Sequence, residues 1–167
     1  YIYGMNGTLI RQLTRGNWEV EDLLGVDEVR GIAYFSSTES SPMDRDISAV
    51  TLNGKQTMKL STKKGTNSAN FSQTYKYYLL RWSDINTPPV ISVCSSDGQE
   101  VRKLQDNAQL VETMKSYRFS GAEFFTFKTS DEVSLNGFMV KPPDFDPQKK
   151  YPVLLLGELC TQLVLPC

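Results

Sequence analysis

The 167-residue chain contains no histidine. Imidazole is the usual proton shuttle of serine and cysteine nucleophiles, and it is the commonest metal ligand in proteins. A self-contained Ser-His-Asp hydrolase or a typical zinc enzyme is therefore hard to build from this chain alone.

Cysteine and long apolar runs are scarce as well. The three cysteines, Cys94, Cys160 and Cys167, are too few and too scattered for a disulfide framework, and we expect Cys94 to be a small buried apolar residue. No apolar run approaches the ~18 residues that a membrane-spanning helix needs. Residues 1–7 lack the basic and then apolar pattern of a signal peptide, so an exported protein would carry its signal before Tyr1.

An excess of charge is also missing, because 18 Lys and Arg residues stand against 19 Asp and Glu residues, a net charge of -1. Nucleic acids and anionic membranes attract strongly basic surfaces. We therefore expect no nucleic-acid partner and no membrane segment in this chain, and no motif indicates a cofactor or a metal.

The chain does contain a short signature three times: an Asn-Gly or Asp-Gly pair with a leucine six residues after the glycine. The copies are Asn6-Gly7 with Leu13, Asn53-Gly54 with Leu60, and Asp97-Gly98 with Leu104. Successive glycines lie 47 and then 44 residues apart. This spacing is typical of the four-stranded blades of a β-propeller.

Asn-Gly and Asp-Gly favour a two-residue type I′ hairpin turn, since both central positions then need a positive φ. We expect each copy to join the two outer strands of a blade. Apolar and β-branched runs at 31–35, 46–50, 76–80 and 90–94 supply further strands, and Tyr34 and Tyr78 repeat at 44 residues. The pattern predicts two nearly complete blades and the end of an earlier one; a β-sandwich of short strands is the alternative fold.

A change of pattern follows Leu104. Asp106 and Asn107 can cap a helix over 108–117, in which Leu110, Met114 and Tyr117 share one face. After this helix, the runs 124–128 and 135–140 predict a β-hairpin that ends before Pro142 and Pro143. The apolar segment 151–156 predicts a strand of the kind that is buried in an α/β sheet.

Three segments carry a family resemblance: 13–20 (LTRGNWEV), 103–107 (KLQDN), and 141–155, which begins KPPDFD and ends KKYPVLL. They resemble the dipeptidyl peptidase IV branch of the prolyl oligopeptidase family, in particular its bacterial members. The resemblance runs in order from about Tyr1 to Leu156, and its junction segment at 141–155 is the most specific part.

The resemblance implies an eight-bladed propeller that caps an α/β-hydrolase domain, in a serine exopeptidase that removes dipeptides after a penultimate Pro or Ala. In such enzymes a serine attacks the carbonyl, a histidine and an aspartate assist it, and a tyrosine helps to hold the oxyanion. The resemblance places all four beyond Leu156, and it places the glutamates that bind the substrate's amino group before Tyr1. We therefore predict no catalytic, cofactor-binding or metal-binding residue in this chain.

Two groups of polar residues could still suggest a site. Glu19, Glu21 and Asp22 could bind an amine, but we interpret them as a solvated strand face. Ser130 and Ser134, beside Asp131 and Glu132, could suggest a nucleophile, but no base is available and turn chemistry explains them better. Trp18 and Trp82 are expected to pack between blades rather than to stack on a ligand.

The sequence departs from the family after Leu156. Glu158 stands near the position expected for the oxyanion tyrosine, where a carboxylate would repel the negative charge. We interpret residues 157–167 as an aberrant or truncated tail.

The predicted fold is mainly β: a partial β-propeller of about two four-stranded blades, a short helix, and the first strands of a truncated α/β-hydrolase domain. The domain boundaries are 1–106 for the blades, 107–122 for the connector, 123–156 for the hydrolase strands and 157–167 for the tail. We expect a fragment of a dipeptidyl peptidase IV-type enzyme, inactive and poorly soluble alone; the alternative is a stand-alone propeller module that binds partners or acts as a scaffold. The resemblance implies a periplasmic or extracellular location, a peptide substrate in the full-length enzyme, and the homodimers that are frequent in the family.

Overall fold

The computed structural model describes residues 1–155, and the tail predicted at 157–167, with Glu158, lies outside them. The described chain is mainly β, with four antiparallel sheets, in agreement with the predicted partial propeller. None of its helices is long and apolar enough to cross a bilayer.

The sheets follow one another along the chain. A first hairpin of two short strands precedes two four-stranded meanders, here named blade 1 and blade 2, in which each strand pairs with the next. The first hairpin consists of β1 (Ile2–Tyr3) and β2 (Leu9–Arg11). Blade 1 consists of β3 (Val20–Asp27), β4 (Ile32–Ser37), β5 (Asp46–Thr51) and β6 (Thr57–Lys59). Blade 2 consists of β7 (Thr66–Phe71), β8 (Tyr77–Asp84), β9 (Thr87–Ser95) and β10 (Glu100–Gln105).

The three repeated turns lie where they were predicted, between β1 and β2, β5 and β6, and β9 and β10. Their predicted type I′ geometry is wrong. The glycines have a positive φ, 80° at Gly7, 67° at Gly54 and 88° at Gly98, but the Asn or Asp before each glycine does not. Because only the glycine enters the left-handed region, no residue with a Cβ is strained in these three turns.

The hydrogen bonds show which turn forms instead. Each glycine N–H donates to the carbonyl three residues earlier, on Gly4, Thr51 and Ser95 respectively. This is a type I turn followed by a left-handed glycine. The Asn or Asp side chain accepts the amide two residues further on, at Thr8, Lys55 and Gln99. Each Asn-Gly or Asp-Gly pair therefore suits its turn because the glycine is left-handed and the Asn or Asp side chain accepts an amide, and not because both residues have a positive φ.

The main core lies between the two blades. Tyr34, Ile47 and Ala49 of blade 1 pack with Tyr78 and Cys94 of blade 2 and with Leu60, which links the blades. All six are at most 4% exposed, so Cys94 is buried as expected. A second cluster, on the other face of blade 1, contains Ala33, Phe35 and Val50, with Leu13 and Trp18 packed against it. Strand β4 serves both clusters because successive side chains point to opposite faces.

A short connector follows blade 2. Helix α1 (Ala108–Ser116) lies where the sequence predicted it, but none of its residues is buried, and Leu110 and Tyr117 of the predicted apolar face are 47% and 60% exposed. The amide of Ala108 donates to Asp106 Oδ1, whereas Asn107 makes no side-chain cap. The helix therefore owes its place to contacts at its ends rather than to a buried face.

The predicted second hairpin is present. Strand β11 (Ala122–Lys128) pairs with β12 (Ser134–Val140) in continuous antiparallel register. The strand predicted at 151–156 is wrong for residues 151–155, which form no regular strand. Val153, Leu154 and Leu155 are 86–87% exposed, because the described residues provide no neighbouring strand with which they could pair.

Candidate functional site

The most concentrated polar network lies at the joint between the blades and centres on Arg30, in the turn between β3 and β4. Its Nε donates to Asp27 Oδ2 at 2.5 Å. Its Nη1 donates to Ser96 Oγ at 2.7 Å, and its Nη2 donates to the Tyr34 hydroxyl at 3.0 Å and to the Tyr75 carbonyl at 2.5 Å. One guanidinium thus connects blade 1 to two turns of blade 2, a geometry that suits the rigid fork of arginine.

The charge states of Asp27 and Tyr34 favour their hydrogen bonds with Arg30. The Arg30 backbone N–H and then its guanidinium lower the pKa of Asp27, so this buried carboxyl stays charged. Burial raises the pKa of Tyr34, so the phenol stays neutral and can accept from Arg30. The rings of Phe71 and Tyr75 lie 4.2 and 5.6 Å from that of Tyr34. The arrangement can hold two sheets together; every charge in it is already paired.

A second buried charge fixes the outer edge of blade 1. Asp46 is 1% exposed, receives Lys59 Nζ at 2.8 Å, and accepts the Ser40 amide at 3.0 Å. The Ser61 hydroxyl lies 3.3 Å from the same carboxylate and accepts the Ile47 amide. Burial by itself would raise the pKa of Asp46, but the bonds from Lys59 and Ser40 outweigh burial and lower it.

The acidic residues that the sequence singled out lie at the start of β3 and are exposed. Glu21 forms an ion pair with Arg45 Nε at 2.5 Å. The backbone amides of Glu19 and Asp22 donate to the hydroxyls of Thr38 and Ser36, which fixes the strand and leaves the carboxylates in solvent. The structure therefore places Glu21 and Asp22 on β3 and Glu19 just before it, and all three residues are exposed.

Ser130 and Ser134 lie in or beside the loop that joins β11 to β12, and both are exposed. The loop closes through Glu132 N–H to Thr129 O and Thr129 N–H to Val133 O. Glu132 has a φ of 61° and its carboxylate contacts Lys128. These contacts are those of a turn. Within residues 1–155, no group of three or more acidic, cysteine or histidine side chains could hold a metal ion.

Both tryptophans pack against protein, but neither belongs to the core between blades 1 and 2 where they were expected. Trp18 stacks on Phe35 with an interplanar angle of 2°. Trp82 donates its indole N–H to Lys64 O at 2.7 Å, and Lys63 Nζ lies 4.2 Å from its ring, so the segment that links the blades covers it.

Sequence reasoning missed Arg30 and Asn86. Arg30 reaches partners 3, 4, 45 and 66 positions away, and no local pattern predicts this combination. Asn86 lies in the two-residue loop between β8 and β9, and both polar atoms of its amide contact Ala122. An asparagine in so short a loop is a weak signal, since turns favour it for other reasons.

Comparison with known proteins agrees with this architecture. The family described as "Dipeptidyl peptidase IV (DPP IV) N-terminal region" matches residues 1–89. A probable dipeptidyl peptidase 4 from Trichophyton verrucosum is 32% identical over 157 residues, which cover 92% of this chain and 21% of that protein. The chain therefore spans about a fifth of the length of this relative.

Two solved structures are also similar. The crystal structure of Porphyromonas gingivalis dipeptidyl peptidase 4 superposes with a TM-score of 0.85 at 43% identity, over 91% of this chain and 22% of that one. A putative dipeptidyl aminopeptidase IV from Bacteroides ovatus superposes with a TM-score of 0.71 at 26% identity, over 85% and 20%. In both cases the similarity extends beyond residues 1–89 and covers most of the chain.

Proposed function

The chain belongs to the dipeptidyl peptidase IV N-terminal region family, and on that basis we propose that it acts as one segment of a dipeptidyl peptidase IV-type serine exopeptidase. In this proposal blades 1 and 2 form part of the wall around the substrate cavity. The hairpin β11–β12 begins the peptidase unit. The complete enzyme releases N-terminal dipeptides after a penultimate Pro or Ala.

One observation carries the proposal: the similarity to the P. gingivalis enzyme covers 91% of the chain, more than the blades, which end at Gln105. Ninety-one per cent of the chain superposes at a TM-score of 0.85. A propeller module used on its own for binding would need no hairpin of this kind after its last blade. The order of blades, helix and hairpin therefore favours a segment of an enzyme.

We further propose that the bond-breaking groups are supplied by polypeptide outside residues 1–155. A serine nucleophile of this class needs a histidine base, and the 167-residue sequence has none. The exposed serines at 130 and 134 lie in a turn with acidic neighbours, which do not activate a hydroxyl in the way that imidazole does.

A chimera tests the proposal directly. The matching segment of the P. gingivalis enzyme is replaced by residues 1–155, and hydrolysis of Gly-Pro-p-nitroanilide is measured. We expect activity to be retained, with kcat within about tenfold of the parent, a change of roughly 1.4 kcal/mol in the barrier. A chimera that folds but has no activity would contradict the proposed role.

Two matched variants of the chimera locate the chemistry. Ser130→Ala combined with Ser134→Ala should leave kcat unchanged. Loss of activity in this double variant would place a nucleophile in this segment. The triple change Glu19→Gln, Glu21→Gln and Asp22→Asn should leave KM within about twofold, because exposed carboxylates contribute little, and Glu21 is already paired with Arg45. A large rise in KM would instead assign these residues to recognition of the substrate's amino group.

A further inference from the structure

Within residues 1–155, the hydrogen bonds that attach the far end of the connector to blade 2 come from a single side chain, that of Asn86. Asn86 Oδ1 accepts the backbone N–H of Ala122 at 2.8 Å, and Asn86 Nδ2 donates to the carbonyl of the same residue at 3.1 Å. Both polar atoms of the side chain therefore bind both polar backbone groups of the first residue of β11.

This pairing reproduces one rung of a β-sheet. A primary amide carries the same donor and acceptor as a peptide group, so it can pair with the free edge of a strand. Since the Ala122 amide donates to Asn86, it points away from β12, and the amide of Glu123 points towards β12. Blade 2 thus contributes a partner to the outer edge of the hairpin.

The neighbouring residues leave room for this contact and orient it. The Asn86 backbone N–H donates to Asp84 Oδ1 at 2.8 Å, which fixes the loop between β8 and β9. A Cβ added to Gly121 would lie only 3.3 Å from Asn86 Oδ1 and 3.7 Å from Nδ2. Gly121 does not have a positive φ, so its backbone conformation does not require a glycine. The absence of a side chain at Gly121 instead allows the Asn86 side chain to approach closely.

The near end of the connector is attached in a similar way. Asn107 has a φ of 54° and its Nδ2 donates to the Pro89 carbonyl on β9 at 2.5 Å. Between the two attachments, helix α1 buries no side chain. Two asparagine amides, rather than an apolar interface, therefore define where the connector leaves blade 2 and where the hairpin begins.

We propose that Asn86, with Gly121, is a positioning clamp that fixes the direction of the hairpin β11–β12 relative to blade 2. The clamp stands on this geometry alone; where the proposed function holds, it also sets the orientation of the peptidase unit on the propeller. Loss of the clamp frees the hairpin β11–β12 from blade 2 without unfolding the hairpin or the blade.

Amide hydrogen exchange of the full 167-residue chain tests the clamp without any measurement of activity. In Asn86→Ala, exchange at Ala122 should become at least about tenfold faster, the change expected for the loss of one to two hydrogen bonds of ordinary net strength. Exchange at Glu123 should stay within about twofold, since its partner on β12 is untouched. Unchanged exchange at Ala122, or an equal rise at both amides, would overturn the proposal.

Three further variants separate the clamp from general effects. Asn86→Asp keeps the acceptor but loses the donor, so exchange at Ala122 should lie between those of the original chain and Asn86→Ala. Gly121→Ala should also increase exchange at Ala122, because the added methyl group crowds the amide. Asn17→Ala, at an exposed asparagine with no side-chain hydrogen bond within residues 1–155, should change neither amide. An Ala122 amide that exchanges as slowly in Gly121→Ala as in the original chain would contradict the role of Gly121.

Discussion

The main core between blades 1 and 2 contains side chains similar to those of the hairpin β11–β12, but the two regions differ in burial. Tyr34 and Tyr78 in the main core are 0% and 2% exposed, whereas Phe124 and Phe138 in the hairpin are 51% and 62% exposed. Strand propensity is therefore satisfied in both places, while apolar burial is satisfied in only one. The difference lies in the neighbours that each sheet has.

The hairpin has apolar residues on both of its faces. Phe124 pairs with Phe138 on one face, and Phe127 pairs with Leu135 on the other. Such a pattern is typical of strands that are covered on both sides, as in an α/β sheet. Within residues 1–155 no second layer covers either face, so the hairpin is held by its ladder, by its turn and by the Asn86 clamp.

The substitution with the largest expected effect tests the main core between the blades. Tyr34→Ala removes a fully buried ring that contacts Phe71 and Tyr75, and it also removes one of the four acceptors of Arg30. We expect the free energy of unfolding to fall by about 3–5 kcal/mol, as for other buried aromatic truncations. Urea unfolding measures the change, and Tyr77→Ala, at a tyrosine that is 51% exposed, is the matched control. Equal losses in the two variants would remove the contrast between buried and exposed tyrosines.

Asp46→Asn tests whether the buried charge stabilises blade 1. The folded-state pKa of Asp46 is lowered from 3.8, so its contribution is fully present above that value and is lost as the pH falls through the lower, folded-state pKa. At pH 7 the variant should be less stable by about 1.5–3 kcal/mol, the range for hydrogen bonds to charged groups.

The pH dependence distinguishes the effect of the Asp46 charge from an effect of side-chain shape. The difference in stability between the original chain and Asp46→Asn should shrink as the pH is lowered below 3.8, because the original carboxylate is then protonated. Urea midpoints at pH 7, 5 and 3 measure this trend. Asp22→Asn, at an exposed carboxylate without an ion pair in the described residues, should have little effect throughout. A gap for Asp46→Asn that stays constant with pH would mean that its charge is not the cause.

Gly98→Ala and Gly31→Ala separate backbone strain from crowding at the joint. Both glycines have a positive φ, 88° and 65°, so alanine costs about 1–2 kcal/mol at either position. A Cβ at Gly98 would also lie 3.2 Å from the Leu60 carbonyl, while at Gly31 nothing lies within 4 Å. Gly98→Ala should therefore be the more destabilising by about 1 kcal/mol, the lower end of the cost of overpacking. Thermal unfolding of the two variants measures the difference, and equal melting temperatures would exclude the crowding.

The repeats predicted most of this fold. The spacing of the Asn-Gly and Asp-Gly pairs located the outer turn of each blade, and the apolar pattern located the helix and the hairpin. The type of turn could not be obtained in the same way. Asn-Gly suits both a type I′ turn and a type I turn with a left-handed glycine, and the choice depends on how the flanking strands pair.

The repeat also predicts equivalent positions without predicting their environments. Leu60 and Leu104 hold the same place in the signature, yet Leu60 is 1% exposed and Leu104 is 50% exposed. Leu60 is covered because the turn at Gly98 packs against its backbone. The contacts of Arg30 and Asn86 were likewise beyond prediction, because each joins segments that are far apart in sequence and are brought together only by the stacking of sheets.

The smallest expected effect concerns the hairpin itself. Phe138→Ser removes an exposed ring, so the free energy of unfolding should change by less than about 0.5 kcal/mol, as for surface substitutions in general. Self-association should fall, because the change interrupts an exposed apolar patch. Sedimentation velocity measures association and urea unfolding measures stability; Phe35→Ser, at a ring that is 3% exposed, provides the buried counterpart and should be strongly destabilised. A clear loss of stability in Phe138→Ser would mean that this face of the hairpin is covered after all, and the contrast between the two regions would then lie in the partner that covers each of them.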